Sequence, residues 1–328
     1  MTTRRSFLAA ATAASLTPAI LSAQARHGQS QGANGTVPLV TLNNGVKMPI
    51  LGFGTFHVKP VEAAQMVQTA MGAGFRLIDT AKNYGNEAEV GDGIARSGVA
   101  RNELFITTKL WIEDFGYDQA MRAFDLSISK LKLDYLDLYL LHWPVPMDFG
   151  KTIAAYKALE KLNADGCIRA IGVSNFNENH LDNLKAATSV VPAVNQIEIN
   201  PSLSQQPMRA ANARRGIATE SWSPLGGEKN VGRHIANSTI REIATKHGKS
   251  PVQVIIRWHI ERGLIVIPRS TNPSHIAENF DVLDFTLSES ELASIDRINV
   301  NERSGPNPDT FDVEAYRKLI AGRAQQAR

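Results

Sequence analysis

Cysteine is almost missing from this chain. Cys167 is the single thiol among 328 residues, which excludes an intramolecular disulfide and a cysteine-based metal cluster, and no metal site is expected. A large charge of one sign is missing too. The 35 Lys and Arg face 32 Asp and Glu and are scattered along the chain, so no nucleic-acid partner is expected. No strand is followed by G-x-G-x-x-G. Gly52-Phe53-Gly54 and Gly91-Asp92-Gly93 lack the third glycine, so a Rossmann site is not supported. What is present suits one large folded domain: 43% of residues are hydrophobic and only 20% charged, a balance that argues against wholesale disorder.

The one long apolar run lies at the start. Thr3-Arg4-Arg5-Ser6-Phe7-Leu8 leads into an Ala-rich stretch up to Ala23, and Ala23-Gln24-Ala25 offers a small-residue cleavage site. Residues 1–25 thus resemble a twin-arginine export signal, which implies the twin-arginine export machinery as a partner and a periplasmic destination. Thr12, Ser15, Thr17, Pro18 and Ser22 dilute the run, so a stable membrane anchor is not expected. Removing residues 1–25 leaves 33 basic residues against 32 acidic ones. Residues 26–36 are polar and Gly/Ser/Gln-rich, as a flexible linker is. From Val37 to residue 328 no shift in composition marks a second domain.

Within that domain, Val40–Leu42 and Val46–Met48 flank Asn43-Asn44-Gly45 and predict a hairpin. Eight apolar strand candidates follow, starting at Ile50, Phe75, Leu104, Leu136, Ala170, Ala193, Ile217 and Leu264. Helix-period segments lie between them, such as Ala63–Met71, Ala120–Leu131, Tyr156–Leu162 and Val252–Glu261. Ser250-Pro251 has the form of a helix cap followed by proline in the first turn. This alternation predicts parallel βα units, and an open doubly wound sheet would share it. The count of eight favours a closed (β/α)8 barrel, a TIM barrel, whose reactive residues sit at the C-terminal strand ends. Asp79, Lys109, His142, Ser174 and Trp222 all fall at or near such ends.

On that placement Asp79, Tyr84, Lys109 and His142 converge on one mouth. A free tyrosine titrates near ~10. A neighbouring cation lowers that value, so Lys109 is expected to make Tyr84 a better proton donor while Asp79 holds the lysine. His142 could orient a carbonyl oxygen beside Tyr84. Each residue also has a plainer role open to it. Asp79 could cap a strand end, Lys109 be its ion-pair partner, Tyr84 a loop aromatic and His142 a satisfied polar residue before Trp143-Pro144.

A resemblance bears on that choice. Gly74–Ala81 (GFRLIDTA) with Tyr84 and Gly85-Asn86-Glu87, Ile106–Trp111 (ITTKLW) and Leu141–Pro144 (LHWP) are similar to the signature of the aldo-keto reductase family. So are Ile171–Phe176 (IGVSNF), Asn195–Glu198 (NQIE), Trp222–Gly226 (WSPLG) and Ile267–Ser270 (IPRS). The matches run in family order over nearly all of the domain, and they most resemble the bacterial 2,5-diketo-D-gluconate reductase-type members. The resemblance implies a (β/α)8 barrel with an N-terminal hairpin and a C-terminal loop over the mouth. It also implies an NAD(P)H-dependent oxidoreductase reducing a small carbonyl substrate, with Asp79, Tyr84, Lys109 and His142 as the catalytic tetrad and Tyr84 as general acid. It places Ser174, Asn175 and Gln196 around the nicotinamide carboxamide and Trp222 on the ring face. Ser223, Leu225 and Gly226 would lie along the pyrophosphate, Arg269, Ser270 and Thr271 at the adenosine 2′-phosphate, and Glu278 and Asn279 at the adenine. Many relatives are monomers, and a monomer is expected here.

One departure concerns cofactor choice. NADPH-preferring members commonly carry an arginine six positions beyond the first basic residue of the phosphate grip, where this chain has His275. A neutral imidazole lacks the guanidinium fork, so NADPH is expected with only a modest preference, and NADH use is open. The substrate pocket is expected from Phe56, Trp111, His142 and the segment Asn301–Phe311. Keto sugars, methylglyoxal-like aldehydes and keto esters all suit it. Two other functions remain open at this point. One is an isomerase or aldolase barrel using Lys109. The other is a non-catalytic, redox-sensing dinucleotide-binding subunit.

Overall fold

Asn43-Asn44-Gly45 turns the chain between two short antiparallel strands, β1 (Leu39–Thr41) and β2 (Lys47–Pro49), with Gly45 at φ 85°. They lie within one residue of the expected positions. The computed structural model describes residues 37–318; the expected export signal and linker, and residues 319–328, lie outside the described residues. Asn43 Nδ2 donates to the Pro192 carbonyl (2.9 Å) and Asn44 Nδ2 to that of Arg169 (3.0 Å). These bonds fix the hairpin beneath the chain as it enters two strands of the main sheet.

That sheet has eight parallel strands in chain order: β3 (Gly52–Gly54), β4 (Leu77–Asp79), β5 (Phe105–Leu110), β6 (Leu136–Leu141), β7 (Ile168–Ser174), β8 (Val194–Glu198), β9 (Ala218–Trp222) and β10 (Ile265–Val266). A parallel bridge between Leu51 and Val266 and the bond from Gly54 N to the Pro268 carbonyl (3.1 Å) join the first strand to the last. The sheet is thus a closed barrel without free edges. β10 is short because Pro268 has no N–H to continue the ladder.

Alternation along each strand divides the apolar side chains into two cores. Leu77, Phe105, Leu138, Leu140, Ala170, Val194 and Ile265 fill the barrel, with Leu42 and Met48 of the hairpin segment closing its floor. Ile78, Ile106, Tyr139, Ile171, Val173 and Ile197 face outward into the helical layer. The four expected helical stretches lie inside Pro60–Ala73, Tyr117–Leu131, Phe149–Ala164 and Pro251–Glu261. Ser250 caps the last of these reciprocally with Gln253. Helices Gly227–Ala236 and Ser238–His247 are additional, inserted after β9. Beyond Glu289–Asp296 the chain returns across the C-terminal strand ends, where Ser304 and Gly305 dock on Glu198. No helix among the described residues is long and apolar enough to cross a membrane.

Candidate active site

Parallel strands of alternating facing bring Asp79 (the end of β4) and Lys109 (on β5) into the lumen side by side, and both are buried. Lys109 Nζ donates to Asp79 Oδ1 (2.6 Å), to the Thr80 carbonyl (3.0 Å) and to the Tyr84 hydroxyl (3.1 Å). All three ammonium donors therefore have acceptors, which is what a buried lysine needs to stay charged. Burial works against that charge, but Asp79 and Tyr84 outweigh it and leave the lysine held more firmly protonated than usual. Burial pushes the Asp79 carboxyl upward, opposed by Lys109 and by Gln196 Nε2 on its second oxygen (2.9 Å). With a donor on each oxygen, Asp79 is the carboxylate of the pair.

Tyr84 ends a short turn of helix, Lys82–Tyr84, that starts just beyond β4. Its ring is half-buried, 5.0 Å from Phe56 and 5.7 Å from His142. The expected lowering of its pKa is not met. Burial pushes the phenol above its ordinary value, and the opposing pull of Lys109 does not overcome it. The phenol is therefore a stored proton at neutral pH, beside a cation ready to stabilise the phenolate left by its loss. Burial, then the positive charge of Lys109, hold His142 well below its ordinary range. His142 is accordingly a neutral imidazole, able to orient an oxygen by a hydrogen bond but unsuited to give up a proton. Its Nδ1 is buried without a partner, which leaves Nε2 to address a substrate.

The residues expected at a nicotinamide form one connected group beside the tetrad. Ser174 Oγ donates to the Gln196 carbonyl (2.9 Å), and Asn175 Nδ2 donates to the His142 carbonyl and to Ser174 Oγ (both 3.0 Å). Trp222 Nε1 donates to Asn175 Oδ1 (2.8 Å), standing the indole at the mouth. Asn175 adopts φ 64°, a left-handed backbone that asparagine tolerates better than most residues. Ser223, at φ 47°, turns the chain out of β9 into Leu225 and Gly226. Gly226 is at φ 88°, and a Cβ there would come 2.6 Å from His234 Cε1. That histidine in turn bonds the Leu225 carbonyl through Nδ1 (3.0 Å).

Arg269 and Thr271 are exposed and Ser270 half-buried, just ahead of helix Pro273–Phe280. No carboxylate of the described residues pairs with Arg269 in a salt bridge, and the N-terminus of the helix beside it favours an anion. His275 is exposed, Glu278 half-buried and Asn279 buried on the same helix. An aromatic platform, a tight glycine turn and an unpaired cation in succession fit a flat ring, a pyrophosphate and a phosphate. The chain's own residues suit a phosphorylated dinucleotide.

Phe56 and Trp111 flank the tetrad. Phe56 is exposed, and Trp111 packs edge-on against His142 at 5.0 Å. The 301–311 segment divides. Ser304 N and Oγ (2.8 and 2.6 Å) and Gly305 N (3.1 Å) donate to Glu198, while Asp309 turns away to Asn177 Nδ2 (2.9 Å). Phe311 packs on Trp143 at 4.3 Å. Three residues at the site have no role assigned from the sequence. Tyr316 covers Trp111 (4.7 Å) and donates to Asn83 Oδ1 (3.1 Å). Glu198 and Glu220 are buried acids in the lumen. For these two a signal existed, because each shares strand parity with a residue already placed at the mouth, Gln196 or Trp222. For Tyr316 there was none.

Known proteins resemble this chain over most of its length. The sequence profile described as "Aldo/keto reductase family" matches residues 50–300. The morphine 6-dehydrogenase of Pseudomonas putida is 50% identical over 295 residues, covering 87% of this chain and 99% of that protein. The glyoxal reductase of Bacillus subtilis is 48% identical over 271 residues, covering 82% and 96%. A Bombyx mori aldo-keto reductase solved in complex with NADP superposes with a TM-score of 0.77 at 36% identity, covering 86% of this chain and 97% of that one.

Proposed function

The chain belongs to the aldo/keto reductase family, and from that premise we propose that it reduces small aldehydes and ketones to alcohols with Tyr84 as the general acid. It is an NAD(P)H-dependent oxidoreductase; the bound nicotinamide supplies the hydride. His142 Nε2 and the Tyr84 hydroxyl receive the carbonyl oxygen between them. As negative charge grows on that oxygen, the Tyr84 proton moves onto it, and Lys109 stabilises the phenolate from 3.1 Å. Asp79 keeps Lys109 in place and neutralises the pair in the absence of substrate. A proton then returns to Tyr84 from solvent at the mouth. The carrying observation is the Lys109 ammonium bonded at once to Asp79 and to Tyr84. An aldolase or isomerase reading fares worse, because a lysine held this firmly protonated is a poor Schiff-base nucleophile.

NADPH is the favoured cofactor, on Arg269 and Ser270, with a preference softened by His275. Substrates in this reading are dicarbonyl aldehydes, keto esters and diketogluconate-type keto sugars. The names of the Bacillus and Pseudomonas relatives, a glyoxal reductase and a morphine dehydrogenase, support a pocket tolerant of size. Residues 37–328 form the catalytic domain, and residues 1–25 direct the folded, cofactor-loaded enzyme to the periplasm. The test is a carbonyl panel with purified protein, following NADPH and NADH oxidation and identifying the alcohol formed. Dinucleotide binding without carbonyl-dependent oxidation would replace this reading with the redox-sensing one.

A further inference from the structure

Beside the tetrad, the barrel holds a second carboxyl that the chemistry above leaves unused. Glu220 is wholly buried on β9, two residues before Trp222, with Gln196 of β8 as its register partner. Gln196 Nε2 donates to Asp79 Oδ2 (2.9 Å) and to Glu220 Oε2 (2.8 Å). Both amide hydrogens are thus committed to carboxyls, and of those two carboxyls only Asp79 is in a salt bridge with Lys109. Glu220 Oε1 is buried with no partner at all. A carboxylate left in that state would be desolvated and unpaired, so the neutral acid is the form the surroundings favour.

The titratable groups that face Glu220 are Asp79 from β4, Lys109 from β5 and, beyond Lys109, Tyr84. On its other side β10 pairs through Ile265 and Val266, which carry no charge. Burial, then the charge of Asp79, push Glu220 up to about 8.

We propose that Glu220 is a positioning residue of the reaction: it holds the Gln196 amide so that only Oε1 is left for the nicotinamide carboxamide, and its charge state governs how tightly Tyr84 keeps its proton. The inference rests on the carbonyl-reductase reading. The two carboxyls clamp the amide from both sides, so the orientation of the nicotinamide and the Asp79–Lys109–Tyr84 chain share one hydrogen-bonding group. When Glu220 ionises, a negative charge enters this chain and opposes phenolate formation. Tyr84 then remains a phenol to higher pH than it would beside a neutral side chain.

Two variants separate the two roles. Glu220→Gln keeps an acceptor for Gln196 Nε2 but cannot ionise; Glu220→Leu removes both properties. In Glu220→Gln the high-pH limb of kcat/KM for carbonyl reduction is expected to move down by about one unit, with the rate on the low-pH plateau within about threefold of wild type. In Glu220→Leu the dissociation constant for NADPH, read by fluorescence titration, is expected to rise about tenfold, because Gln196 is then held on one side only. The wild type needs no variant for a third readout. Its infrared spectrum should contain a protonated-carboxyl band that disappears with a midpoint near 8.

Coincident pH limbs in wild type and Glu220→Gln, unchanged NADPH binding in Glu220→Leu, or no such infrared band would each overturn the proposal. If the wild type binds NADPH but oxidises it with no carbonyl of the panel, the parent reading fails instead, while the infrared titration and the binding measurement still decide the role of Glu220.

Discussion

Lys109 is the residue on which the site turns, because it has three acceptors and one of them is the group expected to react. Its charge is sustained by Asp79 alone among the carboxylates it contacts. Asp79→Asn should therefore leave a buried ammonium without a counter-ion and destabilise the fold by about 3–5 kcal/mol in urea unfolding. A loss below about 1 kcal/mol would mean that water reaches Lys109. Strand-end position brought Asp79, Tyr84, Lys109 and His142 to one mouth and the family resemblance singled them out as a tetrad, yet the sequence gave the wrong direction for Tyr84. A neighbouring cation is visible in sequence, whereas the depth of the cavity around a phenol is a property of the assembled barrel. Glu220 was overlooked for a related reason. The apolar run that starts at Ile217 draws the eye to Trp222 near its end, whereas the alternation that turns Ala218, Glu220 and Trp222 the same way carries Glu220 into the lumen.

At the scale of elements, the eight strands were legible because each is a short apolar run ahead of a turn. Their starts lie within two residues of the expected ones, and that of β6 at Leu136 coincides. Helices Gly227–Ala236 and Ser238–His247 were not, since a glycine-flanked, charged start hides helical periodicity. The first of these helices ties the C-terminal segment to the Trp222 side of the mouth. Lys229 and Arg233 both pair with Glu302 (2.8 Å each), next to the Ser304–Gly305 contact on Glu198. In that segment a Cβ on Gly305 would come 2.5 Å from Trp222 Cη2. Gly305→Ala should push the indole off Asn175 and weaken NADPH binding about tenfold, the scale of a small overpacking penalty; unaltered affinity would show that the ring is free to yield. In helix Pro273–Phe280 the position six beyond Arg269 is His275 rather than a second arginine. His275→Arg should raise the NADPH-over-NADH ratio of kcat/KM about tenfold, and an unchanged ratio would place the 2′-phosphate elsewhere.

For the whole molecule, the barrel supplies a rigid floor of apolar side chains below and a polar, hydrogen-bonded layer above. The hairpin closes one end and leaves chemistry to the other. Export fits such a body, because the twin-arginine route carries proteins already folded around a cofactor. Fractionation of native cells is expected to recover the protein from the periplasm, and Arg4→Lys with Arg5→Lys should retain it in the cytoplasm. Equal distribution of both forms would remove the signal reading while leaving the enzyme intact. Sustained turnover after export would further require a recycling partner for the nicotinamide or a cofactor that stays bound.

The central claim is that the Tyr84 hydroxyl delivers the proton, and Tyr84→Phe tests it without disturbing the ring contacts to Phe56 and His142. Carbonyl-dependent NADPH oxidation by wild type and variant should be compared alongside fluorescence titration of NADPH binding. Loss of reduction by at least about 10²–10⁴-fold with the dissociation constant nearly unchanged is the predicted result. Reduction by Tyr84→Phe within a few-fold of wild type would contradict it.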